Sequence, residues 1–186
     1  MALPISFNLM QWIDENRDLL RPPVLNQTLW KATSDFIVMV VGGPNVRTDY
    51  HDDPFEEFFY QLKGDIVLDV VDEGKRREIP IREGGVLLIP AHLRHRPQRP
   101  QPESIGLVVE RIRPPGVFDA FEWYCEECVS LLHRREVHVA NIVRDLPPVF
   151  EEYYGNADLQ HCKACGFRNP RKPANPKSVS AGAAAG

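Results

Sequence analysis

Three side chains in the first half of the chain could hold a metal: His51, Glu57 and His95. His51 and Glu57 stand around a turn before an apolar segment, and His95 comes just after another, at 86–89. Two neutral imidazoles and one carboxylate are the ligand set of mononuclear non-haem Fe(II) centres. Such a set leaves coordination positions open, so a substrate and O2 can bind side by side. A lone histidine would be an ordinary surface or capping residue; it is the joint pattern that points to metal. Nothing pairs His92 with the other ligands, so it is read as a plain turn residue.

A second group lies in the last third. Cys125-Glu-Glu-Cys128 and Cys162-Lys-Ala-Cys165 are two Cys-x-x-Cys pairs with 33 residues between the inner cysteines. Four thiolates from two such knuckles suit a tetrahedral Fe or Zn site. Gly166 permits the tight turn that a knuckle needs. The functional reading is electron transfer or iron storage. The reading preferred here is a structural clip that ties the C-terminal segment down.

Arginines flank the first group. Arg47 precedes His51, and Arg99 follows His95 by four residues. Two guanidinium groups suit a planar carboxylate, because each offers parallel N–H donors. Glu110 could accept from a substrate amine or hydroxyl, or take its proton.

The elements that must position these residues are short. The spacing predicts a helix over 8–20 stopped by Pro22-Pro23, and strands over 36–41, 58–62, 66–71, 77–81, 86–89 and 105–111. Asp72-Glu73-Gly74 predicts a hairpin turn. Residues 90–102 read as a polar, proline-rich loop and 114–124 as a connection packed on the barrel. A strand is expected over 136–143 and a short helix over 147–154 with proline near its start. Closely spaced strands without intervening helices argue for an antiparallel sandwich or barrel. The expected organisation is a barrel over 1–115, a cysteine-bearing segment over 116–169 packed on it, and a flexible tail over 170–186. No internal repeat of solenoid type is found.

Composition fits one core: 186 residues, 43% of them hydrophobic. A net charge of −4 and a pI of about 5.9 leave no basic footprint for nucleic acid. No apolar run approaches the ~20 residues that span a bilayer. The N-terminus has acids where a signal peptide has its apolar core, so a cytoplasmic protein without a membrane partner is expected.

The two histidine segments resemble the two motifs of the cupin superfamily. Five residues separate Gly43 from Asp49, six separate Glu57 from Gly64, and five separate Gly84 from Pro90. There are departures: Asp49 stands where many cupins have a first metal histidine, His92 replaces a turn glycine, and Arg99 replaces a terminal asparagine. The gap from His51 to Glu57 is also slightly long. Longer stretches are similar to the bacterial-type 3-hydroxyanthranilate 3,4-dioxygenases: 40–45, 47–53, 56–61, 97–100, 109–111 and 121–125. That resemblance covers about 6–168. It implies a mostly β cupin fold (double-stranded β-helix, or jelly roll) with a small rubredoxin-like cysteine knuckle. It implies Fe(II) on His51, Glu57 and His95, and 3-hydroxyanthranilate and O2 as partners in a ring opening. Arg47, Arg99 and Glu110 would hold the substrate, and Asn26 and Asp49 match pocket positions. The cysteine site would not be needed for turnover. A homodimer is expected. Val46 and Arg96 depart from the pattern, and Arg96 is expected to perturb the charge next to the pocket.

Rival readings are another ring-cleaving cupin oxygenase or metal-dependent isomerase, a zinc-ribbon regulator, and a non-catalytic binding cupin. The arginine pair, the acidic charge and the intact three-residue set speak against them in turn.

Overall fold

A computed structural model describes residues 5–22, 26–31, 33, 35–140 and 142–170. Pro23, Asn141 and the expected tail beyond 170 lie outside the described residues.

Among the described residues, eleven strands form two antiparallel sheets. One contains β1 (Asn26–Thr28), β2 (Phe36–Gly42), β4 (Glu57–Lys63), β7 (Val86–Ile89) and β9 (Ile105–Arg111), in the order β1-β2-β9-β4-β7. The other contains β3 (Tyr50–Asp52), β5 (Ile66–Asp72), β6 (Lys75–Ile81), β8 (Arg94–Gln98), β10 (Asp119–Tyr124) and β11 (Leu131–Val137), in the order β11-β10-β3-β8-β5-β6. Met39, Phe59 and Val108 of the first sheet pack against Ile66, Leu68, Val70 and Ile81 of the second, so the core lies between the two. This is the antiparallel, mostly β architecture expected from the strand spacing. The β5–β6 hairpin turns on Glu73 (φ 49°) and Gly74 (φ 71°), two left-handed residues whose twist matches the flanking strands.

The sequence reading misplaced several elements. The expected 90–102 loop contains β8, and the expected 114–124 connection contains β10. β8 reads Arg-His-Arg-Pro-Gln, so no apolar alternation marks it. Its outward arginines are held by ion pairs instead, Arg96 to Asp69 at 2.8 Å and Arg94 to Glu122 at 3.4 Å. The expected strand over 136–143 is also wrong: β11 ends at Val137, and α2 (Ile142–Gly155) begins instead. α2 starts earlier than the expected helix, and Pro147 and Pro148 sit inside it, where they remove two amide donors. Packing outweighs that loss. Trp123 stacks on Tyr153 at 4.4 Å, and Phe121 meets Phe150 edge-on at 5.9 Å. The line expected at 115/116 falls between β9 and β10, and β10 pairs with β3 inside the six-stranded sheet.

The N-terminal helix is shorter than expected. α1 (Leu9–Glu15) is capped by Asn8, whose Oδ1 accepts from Gln11 N at 3.0 Å. It ends at Asn16, whose Nδ2 donates to the Trp12 carbonyl at 2.8 Å, and a 3-10 turn follows (Arg17–Leu20). Ile13 and Leu20 then pack on Val40 and Ile105. Gly42 makes that approach possible: a Cβ there would lie 2.9 Å from the Leu20 carbonyl carbon. Gly42→Ala is expected to lift the 3-10 turn off the barrel and cost about 3 kcal/mol. Urea denaturation checks the cost, and faster proteolysis near Arg17 and Arg21 checks the place.

Candidate metal centre and its cavity

Sheet register builds the site. His51 on β3 lies directly opposite His95 on β8, and Phe121 on β10 lies opposite His51. The three form one row across the six-stranded sheet. Side chains alternate along a strand, so His95, Pro97 and Arg99 share the inward face, and so do Asp49 and His51. Glu57 reaches in from β4 on the opposite sheet. Two imidazoles from one sheet therefore face a carboxylate from the other. Asp53 makes the turn between β3 and β4, its Oδ1 accepting from Phe55 N at 2.8 Å.

All three side chains are buried, and their ligand atoms lie within 4.8 Å of one another. His95 Nδ1 is engaged by the Leu93 carbonyl at 2.8 Å, and Nε2 points at Glu57 Oε2, also 2.8 Å away. That approach lacks hydrogen-bond geometry, and Glu57 Oε2 has no hydrogen-bond partner. His51 Nε2 is engaged by Asp119 Oδ1 at 2.8 Å, and Nδ1 faces Glu57 Oε2 at 3.9 Å. Each imidazole thus has one nitrogen tied to an acceptor and the other turned towards the carboxylate, as in metal sites with oriented histidines. Phe121 stacks on His51 at 5.1 Å with 7° between the rings.

Electrostatics agree. Burial would raise the Glu57 pKa, but positive charge on His95 and His51 and the Arg113 guanidinium bring it down to about 2. Burial opposes charge on His95, yet Glu57 raises its pKa overall. A buried carboxylate with an unsatisfied oxygen, set between two imidazoles, fits a divalent cation that would replace the proton held there. His51, Asp53 and Asp119 form a second close group. Arg113 already neutralises it, donating to Asp53 at 2.6 Å and to Asp119 at 2.6 Å. The His51–Glu57–His95 set fits a cation better.

Beside this set lies a cavity of about 510 Å³. Asn26, Arg47, Asp49, Arg99 and Glu110 all line it. Arg47 forms an ion pair with Asp49 in a short contact. Arg99 is almost fully buried and donates to Gln61 Oε1 at 3.0 Å. Burial lowers its pKa to about 10. Gly106 on β9 leaves room for it: a Cβ there would lie 2.8 Å from Arg99 Nη2. Arg96, expected beside the pocket, is on the other face of β8 and does not line the cavity; strand alternation puts it opposite His95.

A scan against family models matches residues 1–154 to the model described as 3-hydroxyanthranilic acid dioxygenase. A 3-hydroxyanthranilate 3,4-dioxygenase of Shewanella woodyi is 56% identical over 172 residues, 92% of this chain and 90% of the relative. Another, of Ruegeria pomeroyi, is 55% identical over 172 residues, 92% of this chain and 95% of the relative. The chain belongs to the 3-hydroxyanthranilic acid dioxygenase family. Among solved structures, a cupin-2 domain containing protein from Shewanella frigidimarina aligns at a TM-score of 0.42 with 17% identity, over 53% of this chain and 91% of that one.

Sequence reading missed several parts of this dioxygenase-family site. Arg113 is the largest omission: besides Asp53 and Asp119 it holds Glu110 at 2.8 Å. It follows a strand and precedes two prolines, a context that signals nothing. α2 is the second, because Ile142, Leu146, Phe150 and Tyr154 form an apolar wall of the cavity. Gln61 and Gly106 are the third; only contact with Arg99 gives them meaning.

The four cysteines do meet. Cys125 and Cys165 Sγ are 3.5 Å apart, as are Cys128 and Cys162 Sγ, and all four lie within 4.8 Å of one another. The knuckles are built alike. Val129 N donates to the Cys125 carbonyl at 3.1 Å, and Gly166 N donates to the Cys162 carbonyl at 2.8 Å. Both residues have left-handed φ, 60° and 80°. Among the described residues no helix is long and apolar enough to cross a membrane.

Glu110 offers a check on the charge balance. Burial first, then the negative charge of Glu57, push its pKa up to about 7. The folded state therefore keeps a proton that the unfolded chain loses above its ordinary value of 4.5. Stability of the metal-free protein should fall as pH rises from about 4.5 to 7. Melting temperatures across that range check this, and Glu110→Gln should flatten the decline.

Proposed function

We propose that the chain is an Fe(II)-dependent 3-hydroxyanthranilate 3,4-dioxygenase. The substrate ring opens between C3 and C4 and takes up both atoms of O2. The product is 2-amino-3-carboxymuconate semialdehyde, which cyclises without an enzyme to quinolinate. The observation that carries the reading is one cavity with His51 and Glu57 in its wall, His95 directly behind them, and Arg47 and Arg99 in the same wall. Family membership supports the same reaction.

His51, Glu57 and His95 would hold the iron. Bound there, it would bring the substrate's amino and hydroxyl donors next to O2 and pass electron density from the ring to oxygen. The remaining work falls to the chain. Arg99 is a cation with donors to spare, so it would bind the substrate carboxylate. Arg47 would join it by exchanging Asp49 for that carboxylate. Fixing the carboxylate fixes the ring, so its two donor atoms meet the metal in one pose. Glu110, poised near neutrality, would take a proton from the substrate's hydroxyl or amine. Asn26 would close one side of the ring pocket, and the α2 wall would exclude water. The four cysteines would hold Fe or Zn as a structural clip; no outside electron is required, because the substrate itself supplies the electrons that O2 takes up. The same reading takes the protein to be a cytoplasmic homodimer.

The deciding experiment is anaerobic loading with Fe(II), then addition of 3-hydroxyanthranilate in air. Semialdehyde absorbance should rise and then decay as it cyclises; its absence from a loaded sample refutes the reading. His51→Ala should lose iron at this site and ring opening together. Arg99→Ala should keep its iron and raise KM by roughly 10- to 100-fold, the worth of one charged hydrogen-bonded contact. Gly106→Ala should do the same more mildly, by displacing the guanidinium.

A further inference from the structure

Thr48 separates Arg47 from Asp49, and both of its polar oxygens are held by side chains of other elements. Its carbonyl accepts from Arg96 Nη1 at 3.4 Å. Its hydroxyl is in short contact with the Tyr154 hydroxyl. Each contact leads back to a different cysteine pair.

Arg96 leads to the first. Its Nε is fixed on Asp69 at 2.8 Å, its guanidinium lies 4.6 Å over the Tyr50 ring, and Nη1 also donates to Glu126 Oε1 at 3.0 Å. Glu126 is the residue after Cys125. Its other oxygen takes Arg76 at 2.6 Å, and Arg76 also donates to the Cys125 carbonyl at 3.3 Å. Tyr154 leads to the second. Gln160, two residues before Cys162, donates from Nε2 to the carbonyls of Tyr153 at 3.1 Å and Tyr154 at 3.3 Å. Asn169 ties the two arms together, with Nδ2 on the Tyr124 carbonyl at 2.8 Å and Oδ1 accepting from Glu126 N at 3.0 Å.

We propose that the cysteine segment braces the carboxylate clamp: through Arg96 and Tyr154 it fixes Thr48, and so fixes Arg47, which makes Arg96 and Glu126 positioning residues for substrate binding. The inference rests on the reading of Arg47 as a carboxylate ligand. It gives the four-cysteine segment a role in affinity rather than in electron supply. Neither Arg96 nor Glu126 lines the cavity, but Arg96 follows His95 in the chain and lies over Tyr50, which precedes His51, so catalytic iron content and kcat have to be read beside KM to separate a route through Thr48 from one through the ligands.

The test is a split between two ligands. 3-Hydroxyanthranilate carries the carboxylate; 2-aminophenol has the same two donor groups without it. Glu126→Gln keeps the shape and removes one charge. It should raise KM for 3-hydroxyanthranilate about 5- to 10-fold, a modest coupling between sites. It should leave kcat, catalytic iron content and the inhibition constant of 2-aminophenol within twofold. Arg96→Met should give the same split, and Arg96→Lys should restore part of it. A purely structural clip predicts a lower melting temperature and less active protein with KM unchanged, and that result overturns the brace. Equal losses for both ligands overturn it as well. Arg47→Ala separates the two levels. If it leaves KM unaltered, the clamp reading itself fails and the brace goes with it. If it raises KM while Glu126→Gln does not, only the brace fails.

Discussion

A carboxylate buried between two sheets needs positive charge, and that requirement organises the centre of this molecule. Glu57 has almost no contact with solvent. Desolvating an ionised carboxylate without a partner costs several kcal/mol. Two imidazoles answer it from the facing sheet, and the nitrogens they leave free converge on a single oxygen, Glu57 Oε2. A divalent cation would complete this arrangement, and the surrounding charges suit its arrival. Asp49, Glu57, Glu110 and Asp119 line the cavity against Arg47, Arg99 and Arg113. Without a cation, burial and the neighbouring Glu57 push the Glu110 pKa up to about 7.

Precision comes from strand register rather than from loops. A cross-strand pair places two side chains within about 5 Å of each other with no freedom to drift. His51 and His95 are such a pair, and slipping β3 by one residue would turn His51 outwards and bring Tyr50 in. The partners of the imidazoles are anchored in the same way. Arg113 comes off the end of β9 and holds Asp119 at the start of β10, and Asp119 orients His51. The ring positions thus depend on three neighbouring strands and on one guanidinium shared among three carboxylates.

Much of this was legible in the sequence, and the illegible parts share a cause. Apolar runs such as 36–41 and 66–71 declare strands because both faces or one face must avoid water. Those runs became β2 and β5. β3 and β8 are silent because their inward face carries imidazoles and their outward face carries ion pairs, so no hydrophobic period exists to be read. The strands that hold the site are therefore the ones hardest to see. α2 was misread for a related reason. Two prolines argue against a helix interior, and only the aromatic stack of Trp123, Tyr153 and Phe150 explains why the helix persists. Residue types gave His51, Glu57, His95 and the arginines. They could not give Gln61 or Gly106, whose roles exist only once Arg99 is folded beside them. The glycine replaced by His92 shows the opposite case. The motif comparison marked a turn position, and His92 indeed sits at φ 64°, held by a contact of Nδ1 with Asp52 at 2.9 Å.

Asp49 connects the metal set to the arginines. A histidine at this point of the chain would add a fourth ligand to the set. Here the side chain is a carboxylate, and it engages Arg47 rather than facing the two imidazoles. A carboxylate here thus holds a guanidinium beside the cavity in a neutral pair. An arriving carboxylate that took the place of Asp49 on Arg47 would leave the buried Asp49 carboxylate without its counter-charge, so the exchange needs positive charge brought in elsewhere, as a divalent cation at the imidazole set would supply. The cost of desolvating Arg47 is met during folding rather than at binding, which is the advantage of a preorganised site.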